Sequence, residues 1–389
     1  MNEETENLSK ADFQIYDLVC LSHLRWDFVY QRPQHLMSRF ARERRVFFVE
    51  EPILMADETH LSVSEREANL FVVVPHLNRA EAEDKTIEVL MRDALDKLFA
   101  PSAIEDFVLW YYTPMAFDFS NHLKPKAVVY DCMDELSMFK FAPPELIENE
   151  ARLFEKADVI FTGGQSLYEA KQNRHSNVRA MPSSIDVAHF NKARNIKESP
   201  SDQAAIPNPR LGYVGVIDER IDLDLIREIA EKRPEWQIVM IGPVVKVSEE
   251  DLPRRANIHY LGMKNYDELP AYIAGWSVAL MPFAINDSTR FISPTKTPEY
   301  LAAGKPVVST AIRDVSRPYG EQNLVAIADT SDEFIAATIA AMNEDRAEKL
   351  AEVDKFLAQN SWDKTWQRMS DAIDRAIAEK HSMAANSGA

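Results

Sequence analysis

The stretch that decides the fold is 293–310, which reads Ser-Pro-Thr-Lys-Thr-Pro-Glu-Tyr-Leu-Ala-Ala-Gly-Lys-Pro-Val-Val-Ser-Thr. A polar loop marked by prolines leads into a short helix of Glu, Leu and Ala, predicted over 299–303. Gly304 follows where a left-handed C-cap residue belongs, and Pro306 stops the helix. Two valines then start a buried strand, so the stretch predicts a loop, helix and strand of an α/β fold.

The start of this predicted helix carries groups that suit a nucleotide. Lys296 places a positive charge beside unpaired backbone N–H groups, where the helix dipole also favours an anion. Glu299, one turn further on, offers a carboxylate that can accept hydrogen bonds from vicinal hydroxyls. Phosphate and ribose need these two functions side by side. The spacing alone leaves open the alternative of an ordinary charged helix start.

The whole stretch resembles the nucleotide-sugar-binding segment of GT-B glycosyltransferases, in the branch written Ser-Pro-x-Lys-x-x-Glu-Tyr-x-Ala-Ala-Gly-x-Pro-Val-Val-Ser. The resemblance implies that Glu299 holds the ribose and that the loop before it holds the diphosphate. Many relatives have a second glutamate eight residues earlier, where this chain has Phe291. Contacts to the sugar hydroxyls are therefore unassigned. The donor-side residues implied within this stretch are Ser293, Pro294, Thr295, Lys296, Glu299 and Tyr300.

Length and composition indicate a globular protein with more than one domain. The 389 residues exceed one ordinary core, since a domain has about 150 residues. Hydrophobic content of 46% and charged content of 27% are typical of a folded chain. The net charge of −18 argues against a nucleic-acid partner, which needs a basic surface.

The expected compartment is the cytoplasm. Cys20 and Cys132 have no spacing typical of a zinc site or a disulfide framework. Residues 1–11 are polar and acidic, which is not the pattern of a secretory leader. No apolar run approaches the roughly 18 residues of a membrane-spanning helix.

Strand and helix patterns alternate along both halves of the chain, which predicts two doubly wound sheets. In the first half, strands are predicted at 16–22, 46–49, 70–74, 107–111, 127–130 and 159–162, with helices from 32 and over 145–156. In the second half, strands are predicted at 211–217, 237–241, 258–261, 278–281, 307–308 and 324–327, with helices over 223–232, 267–274, 332–343 and 347–359.

The fold class predicted is α/β, with the two Rossmann-like domains of a GT-B protein facing each other across a cleft. The N-terminal, acceptor-side domain is expected over 1–190 and the C-terminal, nucleotide-sugar-binding domain over 205–361. Residues 182–209 are polar and rich in proline, as in an interdomain linker. A last helix is predicted over 361–378. The resemblance implies that residues 362–389 pack back on the N-terminal domain.

A second donor-side loop follows the first strand of the C-terminal half. Gly215 can let a ligand approach the backbone, and Arg220 can reach a phosphate. GT-B relatives use this loop for the diphosphate, which adds both residues to the donor site. Asp222 and Asp224 spell the Asp-x-Asp of metal-dependent transferases of another fold. We interpret them here as helix capping, so no metal is predicted.

The first loop and helix of the chain resemble those of cell-envelope polysaccharide glycosyltransferases, such as the teichuronic acid biosynthesis type. Direct attack by a sugar hydroxyl with inversion needs a base within hydrogen-bond distance. Asp27 and His23 are the predicted catalytic residues, with Asp27 preferred; an Asp27 that is simply paired to an arginine is the open alternative. The predicted acceptor-side residues are Arg25, Gln31, Arg32, Asp131 and Asp134, of which the two aspartates are also second-choice bases.

Two further patterns carry weaker predictions. Gly163 and Gly164 after a strand indicate either a close backbone approach or a tight turn. Four arginines end the first helix and suggest peripheral contact with the inner face of a membrane, although the helix dipole also favours cations there. These arginines are Arg39, Arg42, Arg44 and Arg45.

Several enzyme classes are excluded by missing motifs. The chain has no Gly-x-Gly-x-x-Gly after a strand, no P-loop and no Gly-x-Ser-x-Gly elbow. The predicted function is transfer of a sugar from a nucleoside diphosphate sugar, without a further cofactor, to a saccharide or lipid-linked acceptor in cell-envelope or exopolysaccharide synthesis. The alternatives are a nucleotide-sugar epimerase or phosphorylase of the same fold, and a catalytically silent sugar-nucleotide-binding protein.

Overall fold

A computed structural model describes residues 16–387, apart from 79, 82–84 and 103. The polar start at 1–11, used above for the prediction about a leader, lies outside the described residues. Two sheets, each with helices packed against it, follow one another along the chain. The predicted α/β architecture is therefore what the chain adopts.

The N-terminal sheet has the strand order β3-β5-β2-β1-β6-β7-β8-β9, and its pairs along this path are parallel. Each buried central strand is almost entirely apolar, as a sheet covered on both faces requires. The strands are β1 (Asp17–Leu21), β2 (Val46–Val49), β3 (Ile53–Ala56), β4 (His60–Glu67), β5 (Leu70–Asn78), β6 (Phe107–Tyr111), β7 (Ala127–Cys132), β8 (Val159–Thr162) and β9 (Val178–Ala180).

The C-terminal sheet has the order β12-β11-β10-β13-β14-β15 and is parallel throughout. The order reverses at β10, where ligands bind in open parallel sheets. The strands are β10 (Arg210–Val214), β11 (Gln237–Ile241), β12 (Ile258–Tyr260), β13 (Val278–Met281), β14 (Val307–Ser309) and β15 (Ala326–Ile327).

The helices connect these strands and cover the sheets. They are α1 (Arg32–Phe40), α2 (Ile87–Ser102), α3 (Phe117–Ser120), α4 (Glu145–Lys156), α5 (Gln165–Lys171), α6 (Val187–Asn191), α7 (Ser201–Ala204), α8 (Leu223–Lys232), α9 (Leu269–Ala274), α10 (Lys296–Ala302), α11 (Arg313–Val315), α12 (Ser331–Asn343), α13 (Arg346–Leu357) and α14 (Trp362–Ser387).

The sequence pattern did not predict β3 and β4, which extend one edge of the N-terminal sheet. Strand β4 pairs antiparallel with β5 and is mostly exposed, so most of its side chains are polar. A strand without a buried face gives little hydrophobic periodicity to recognise.

The segment between the sheets and the last helix pack on different halves. Phe190 in α6 is fully buried in the C-terminal core. Helix α14 instead buries Trp362 and Met369 in the core that contains β1 and α1. Tyr16 Oη donates to Asp374 Oδ1 at 3.0 Å, which holds α14 against the start of β1.

The arginines at the end of α1 have partners within the chain. Asp363 of α14 accepts from Arg39 Nε at 3.1 Å and from Arg42 Nη1 at 2.8 Å. The guanidinium of Arg44 lies over the ring of Tyr16, and Arg45 Nε donates to Asp17 Oδ1 at 2.8 Å. This arrangement favours a structural role for the cluster. In the described part of the chain no helix is long and apolar enough to cross a bilayer.

Candidate active site

A cleft lies between the carboxyl ends of the two sheets and holds two adjoining cavities. They measure about 280 Å³ and about 140 Å³. Both are lined by Tyr30 from the N-terminal half and by Gly215 and Lys296 from the C-terminal half. The loops that the sequence predicted on each side therefore face each other. We call these two the nucleotide cavity (280 Å³) and the inner cavity (140 Å³).

Helix α10 carries the residues that were predicted to bind phosphate and ribose, on the C-terminal side of the cleft. It begins at Lys296, one turn earlier than predicted, and ends before Gly304, whose φ of +74° confirms the left-handed C-cap. Pro298 lacks an N–H, and the Thr297 amide already donates to Pro294 O at 3.3 Å. Among the described residues, no hydrogen bond uses the amides of Thr295 and Lys296, so these two remain for a ligand.

Lys296 and Glu299 form an ion pair on the cleft side of α10. Their Nζ and Oε2 atoms are 2.6 Å apart, and the side chains are 15% and 6% exposed. Burial raises the pKa of Glu299, and the Lys296 charge opposes that rise. A nucleotide bound here can take the ammonium for its phosphate and the carboxylate for its ribose hydroxyls, in exchange for this pair.

Tyr300 lies beneath β10 rather than in the cleft. Its side chain is fully buried, and its hydroxyl accepts from the Val214 amide at 2.7 Å while lying 3.2 Å from the Val214 carbonyl. Tyr300 therefore positions the end of β10 instead of contacting a ligand directly, which corrects its place among the donor-side residues.

The loop after β10 brings Gly215 and Arg220 to the inner cavity. Gly215 has φ +158°, and a Cβ there would overlap the hydroxyl of Tyr213. Arg220 is held by Asp218, to which its Nε donates at 2.9 Å and its Nη2 at 2.6 Å. In the described structure no hydrogen bond uses Nη1 of Arg220. Arg220 is thus a fixed cation with one terminal nitrogen open to an anion.

The loop residues Ser293, Pro294 and Thr295 also line the inner cavity. Ser293 lies against Gly164 of the N-terminal half, where a Cβ would come within 2.7 Å of Ser293 Cβ and would overlap Asp314 Oδ2. Asp314 accepts from the Gln165 amide at 2.8 Å and from the Ser166 amide at 3.0 Å. Of the two interpretations of the glycine pair, Gly164 fits the close backbone approach.

Asp27, the preferred base from the sequence, is paired to an arginine. Its carboxylate is 66% exposed and accepts from Arg66 Nη2 of β4 at 2.7 Å. It lines the nucleotide cavity but not the inner cavity. The open alternative, a structural ion pair, describes this arrangement better than the catalytic one.

His23 is the second predicted base. Burial lowers the pKa of His23 to about 4, against a hydrogen bond with the Tyr112 backbone that raises it, while the charge of Lys246 lowers it further. The imidazole is therefore neutral at neutral pH. His23 lines neither cavity of the cleft.

Three of the predicted acceptor-side residues are engaged within the N-terminal half. Arg32 and Asp131 form a bidentate pair at 2.9 and 2.8 Å with almost no exposure, and Arg32 Nη1 also donates to Met181 O at 2.7 Å. Arg25 donates to Glu50 at 2.9 Å. Gln31 is the N-cap of α1 and lines the inner cavity. Arg32 also lines the inner cavity, whereas Arg25 and Asp131 line neither cavity.

Asp134 differs from these residues because its carboxylate is not engaged. It follows β7, is partly exposed and lines the inner cavity opposite Arg220. No hydrogen bond or ion pair of the described residues involves this carboxylate. Burial raises the pKa of Asp134 to about 6, while Arg220 and Arg32 hold it down.

The first aspartate of the Asp-x-Asp at the start of α8 caps the helix, as predicted, whereas the second forms an ion pair. Asp222 accepts from the Leu225 amide at 2.8 Å, and Asp224 pairs with Arg227. Among the residues that the structure describes, no group of His, Cys, Asp or Glu has a metal-binding arrangement. Metal independence stays a prediction.

An aromatic cluster closes one side of the nucleotide cavity, and the sequence did not identify it. Tyr266 stacks on His189 at 4.2 Å and lies 4.6 Å from Tyr30 across the cleft. His35 lies 5.5 Å from Tyr266 and stacks on Trp362 at 4.5 Å. Of these aromatic residues, Tyr30 belongs to the first loop of the chain, which was singled out above only for its resemblance and its candidate bases. A larger cavity of about 430 Å³ near Lys305 and Arg346 contains none of the predicted site residues.

Comparison with known proteins shows which sequences this chain is similar to. Residues 208–344, which include α10 and both donor-side loops, match the family model described as glycosyl transferases group 1. A Bacillus subtilis (strain 168) protein named as a teichuronic acid biosynthesis glycosyltransferase is 25% identical over 284 residues, which are 68% of this chain and 71% of that protein.

Solved structures match nearly the whole chain. The sucrose-phosphate synthase of Thermosynechococcus elongatus superposes with a TM-score of 0.68 at 13% identity, covering 94% of this chain and 100% of that one. The Anabaena protein HepE, in complex with UDP and glucose, has a TM-score of 0.63 at 14% identity, with coverage of 92% and 98%. At these identities the matches show the fold, which is GT-B.

Proposed function

We propose that this group 1 glycosyltransferase of the GT-B fold transfers a sugar from a nucleoside diphosphate sugar, held on the C-terminal face of its cleft, to a saccharide or lipid-linked acceptor on the N-terminal face. The observation that carries the proposal is the Lys296–Glu299 pair. It sets a carboxylate beside a cation that lines both cavities, and a diphosphate and a ribose need that combination.

The charge of the leaving diphosphate has further partners on the same face. Arg220, Thr295 and Lys296 line the inner cavity, and the amides of the last two are available as donors. Fixed donors of this kind stabilise the negative charge that develops on the leaving group. The nucleoside then occupies the larger nucleotide cavity, beside Tyr266 and Gly215.

For the donor, we propose a uridine diphosphate (UDP) sugar as the first choice. HepE, which shares the fold, was solved with UDP and glucose. For the acceptor, the name of the Bacillus subtilis relative supports a cell-envelope polysaccharide. The sugar transferred and the nucleotide are therefore to be identified by a panel rather than by fold.

The experiment is a panel of labelled nucleoside diphosphate sugars, incubated with saccharide and lipid-linked acceptors. We expect one donor to raise the thermal unfolding midpoint and to give a labelled glycoside. Conversion of the donor sugar to an epimer would indicate the epimerase, and release of a sugar phosphate in the presence of phosphate would indicate the phosphorylase. A donor that binds but never reacts would indicate a silent binding protein.

The same assay tests whether a metal is needed. Lys296, Arg220 and backbone amides can carry the diphosphate charge, so we expect transfer to persist in EDTA. Activity that disappears in EDTA and returns with Mg²⁺ or Mn²⁺ would contradict this and would return attention to Asp222 and Asp224.

Contact with an anionic membrane surface is a separate proposal with weaker support. Arg42 remains 57% exposed, but Asp363, Tyr16 and Asp17 already hold the arginines at the end of α1. Each free arginine near such a surface would contribute about 1 kcal/mol. Salt-sensitive co-sedimentation with anionic but not neutral vesicles would support membrane contact. Equal sedimentation with both kinds of vesicle, or none with either, would contradict it.

A further inference from the structure

We propose that Asp134 binds and orients the reacting hydroxyl group of the acceptor, and that Arg220 links this task to the diphosphate of the donor. The inference rests on the proposed function and assigns one residue of the N-terminal face to the acceptor. It replaces Asp27 and His23, the residues that the sequence favoured for contact with the acceptor hydroxyl.

The position of Asp134 is the first argument. It lies just beyond the carboxyl end of β7 and lines the inner cavity, whose opposite wall contains Arg220, Ser293 and Lys296. The inner cavity measures about 140 Å³. A sugar attached to a diphosphate on that wall must therefore lie next to Asp134, and so must the hydroxyl that attacks it.

The availability of Asp134 is the second argument. Asp131 is paired with Arg32, and Asp27 is paired with Arg66. Glu50 accepts from Arg25 and from the Trp26 amide at 2.7 Å. In the described residues the carboxylate of Asp134 has no such partner. Among the acidic residues predicted on the N-terminal face, Asp134 is the one whose oxygens can accept from a substrate hydroxyl.

The charges around Asp134 are the third argument. Arg32 on α1 and Arg220 after β10 favour its ionised form, whereas Asp131 on β7 and Asp218 after β10 disfavour it. Lys296 of α10 lines the same cavity. An ionised carboxylate forms a charge-assisted hydrogen bond with a hydroxyl and fixes its direction, which is how positioning accelerates transfer.

The sign of the pH dependence follows from these groups. The pKa of Asp134 is raised to about 6, so the side chain is an acceptor above that pH and becomes protonated below it. Transfer should therefore fall as the pH drops through about 6. A diphosphate bound to Arg220 offsets the positive charge that favours ionisation of Asp134. The acidic limb of the pH–rate profile, where transfer falls, should therefore move to higher pH in the donor complex.

The kinetic test compares wild type with Asp134→Asn, using the donor and acceptor that react in the panel above. If no donor and acceptor in the panel react, the proposed function is contradicted. The comparison of Asp134→Asn with wild type tests the role of Asp134 alone. We expect Asp134→Asn to keep UDP affinity within about twofold, to lose transfer by about 10- to 100-fold, and to lose the acidic limb near pH 6. Asp134→Glu should recover the limb.

The control is Asp93→Asn, since Asp93 is an exposed residue that lines neither cavity of the cleft. It should behave as wild type. Transfer by Asp134→Asn within threefold of wild type, or an unchanged acidic limb, would overturn the proposal. An equal loss of donor affinity and of transfer would also overturn it, because Asp134 would then contact the donor.

The link through Arg220 has its own measurement, which uses inorganic pyrophosphate as the diphosphate. The NMR signal of the Asp134 carboxyl carbon is assigned as the one missing from the spectrum of Asp134→Asn. Its chemical shift is then followed against pH with and without pyrophosphate. We expect the midpoint to rise in the presence of pyrophosphate. A midpoint that stays or falls would contradict the link.

Discussion

The two faces of the cleft use their charged residues differently. On the C-terminal face, Lys296 pairs with Glu299 and lines both cavities, so a phosphate there can replace Glu299 as its partner. On the N-terminal face, Arg32 pairs with Asp131 and both side chains have almost no exposure, although Arg32 also lines the inner cavity. A charged residue in the cleft therefore indicates binding only where it keeps some exposure, and Asp134 is the partly exposed N-terminal carboxylate that has no partner among the described residues.

The largest effect should come from breaking the buried pair. Asp131→Ala leaves the Arg32 guanidinium buried without its carboxylate, and loss of one partner of such a pair costs about 3–5 kcal/mol. We expect a strongly lowered unfolding midpoint in denaturant. Arg32→Met with Asp131→Leu should recover much of the loss, because it removes both charges. Wild-type stability of Asp131→Ala would show that the pair is not structural.

A smaller effect should come from the contact that joins the faces. Gly164→Ala forces a Cβ against Ser293 and Asp314, and overpacking of this kind costs about 1–3 kcal/mol. We expect the two halves to separate, with a larger radius of gyration by small-angle X-ray scattering.

Glu169→Ala on the same helix is the matched control. It removes an ion pair with Arg313 and a hydrogen bond from Gln165, all at substantially exposed side chains, and such a surface pair contributes less than about 1 kcal/mol. A Gly164→Ala protein as compact as this control would show that the close approach tolerates a methyl group.

The smallest effect should come from Asp27, the base predicted from the sequence. Because it pairs with Arg66 at an exposed site, Asp27→Asn should change stability by less than about 1 kcal/mol and transfer by less than about threefold. Steady-state kinetics in the transfer assay measure this. A loss of a hundredfold or more would restore Asp27 as the base and would remove the distinction drawn between it and Asp134.

The sequence predicted the loop and helix around Lys296 because this segment is local. Lys296, Glu299 and Gly304 belong to one loop and helix, so their spacing alone brings them together. The resemblance covered the same contiguous stretch. The buried strands were also predicted, since their apolar runs are continuous.

The N-terminal face could not be predicted in the same way because its partners are far apart in the chain. Asp27 meets Arg66 on a strand that gave no hydrophobic signal, and Arg32 meets Asp131 from a distant strand. Those contacts decide which carboxylate is free. A single sequence names the charged residues of this face but does not pair them.

The most direct test of a cleft divided between donor and acceptor is calorimetric titration of UDP into wild type, Lys296→Ala and Asp134→Asn. Lys296→Ala removes a charge-assisted contact to phosphate, so UDP should bind weaker by about 1.5–3 kcal/mol. Asp134→Asn should bind UDP within about twofold of wild type. Unchanged binding by Lys296→Ala, or an equal loss in both variants, would contradict the division of the cleft.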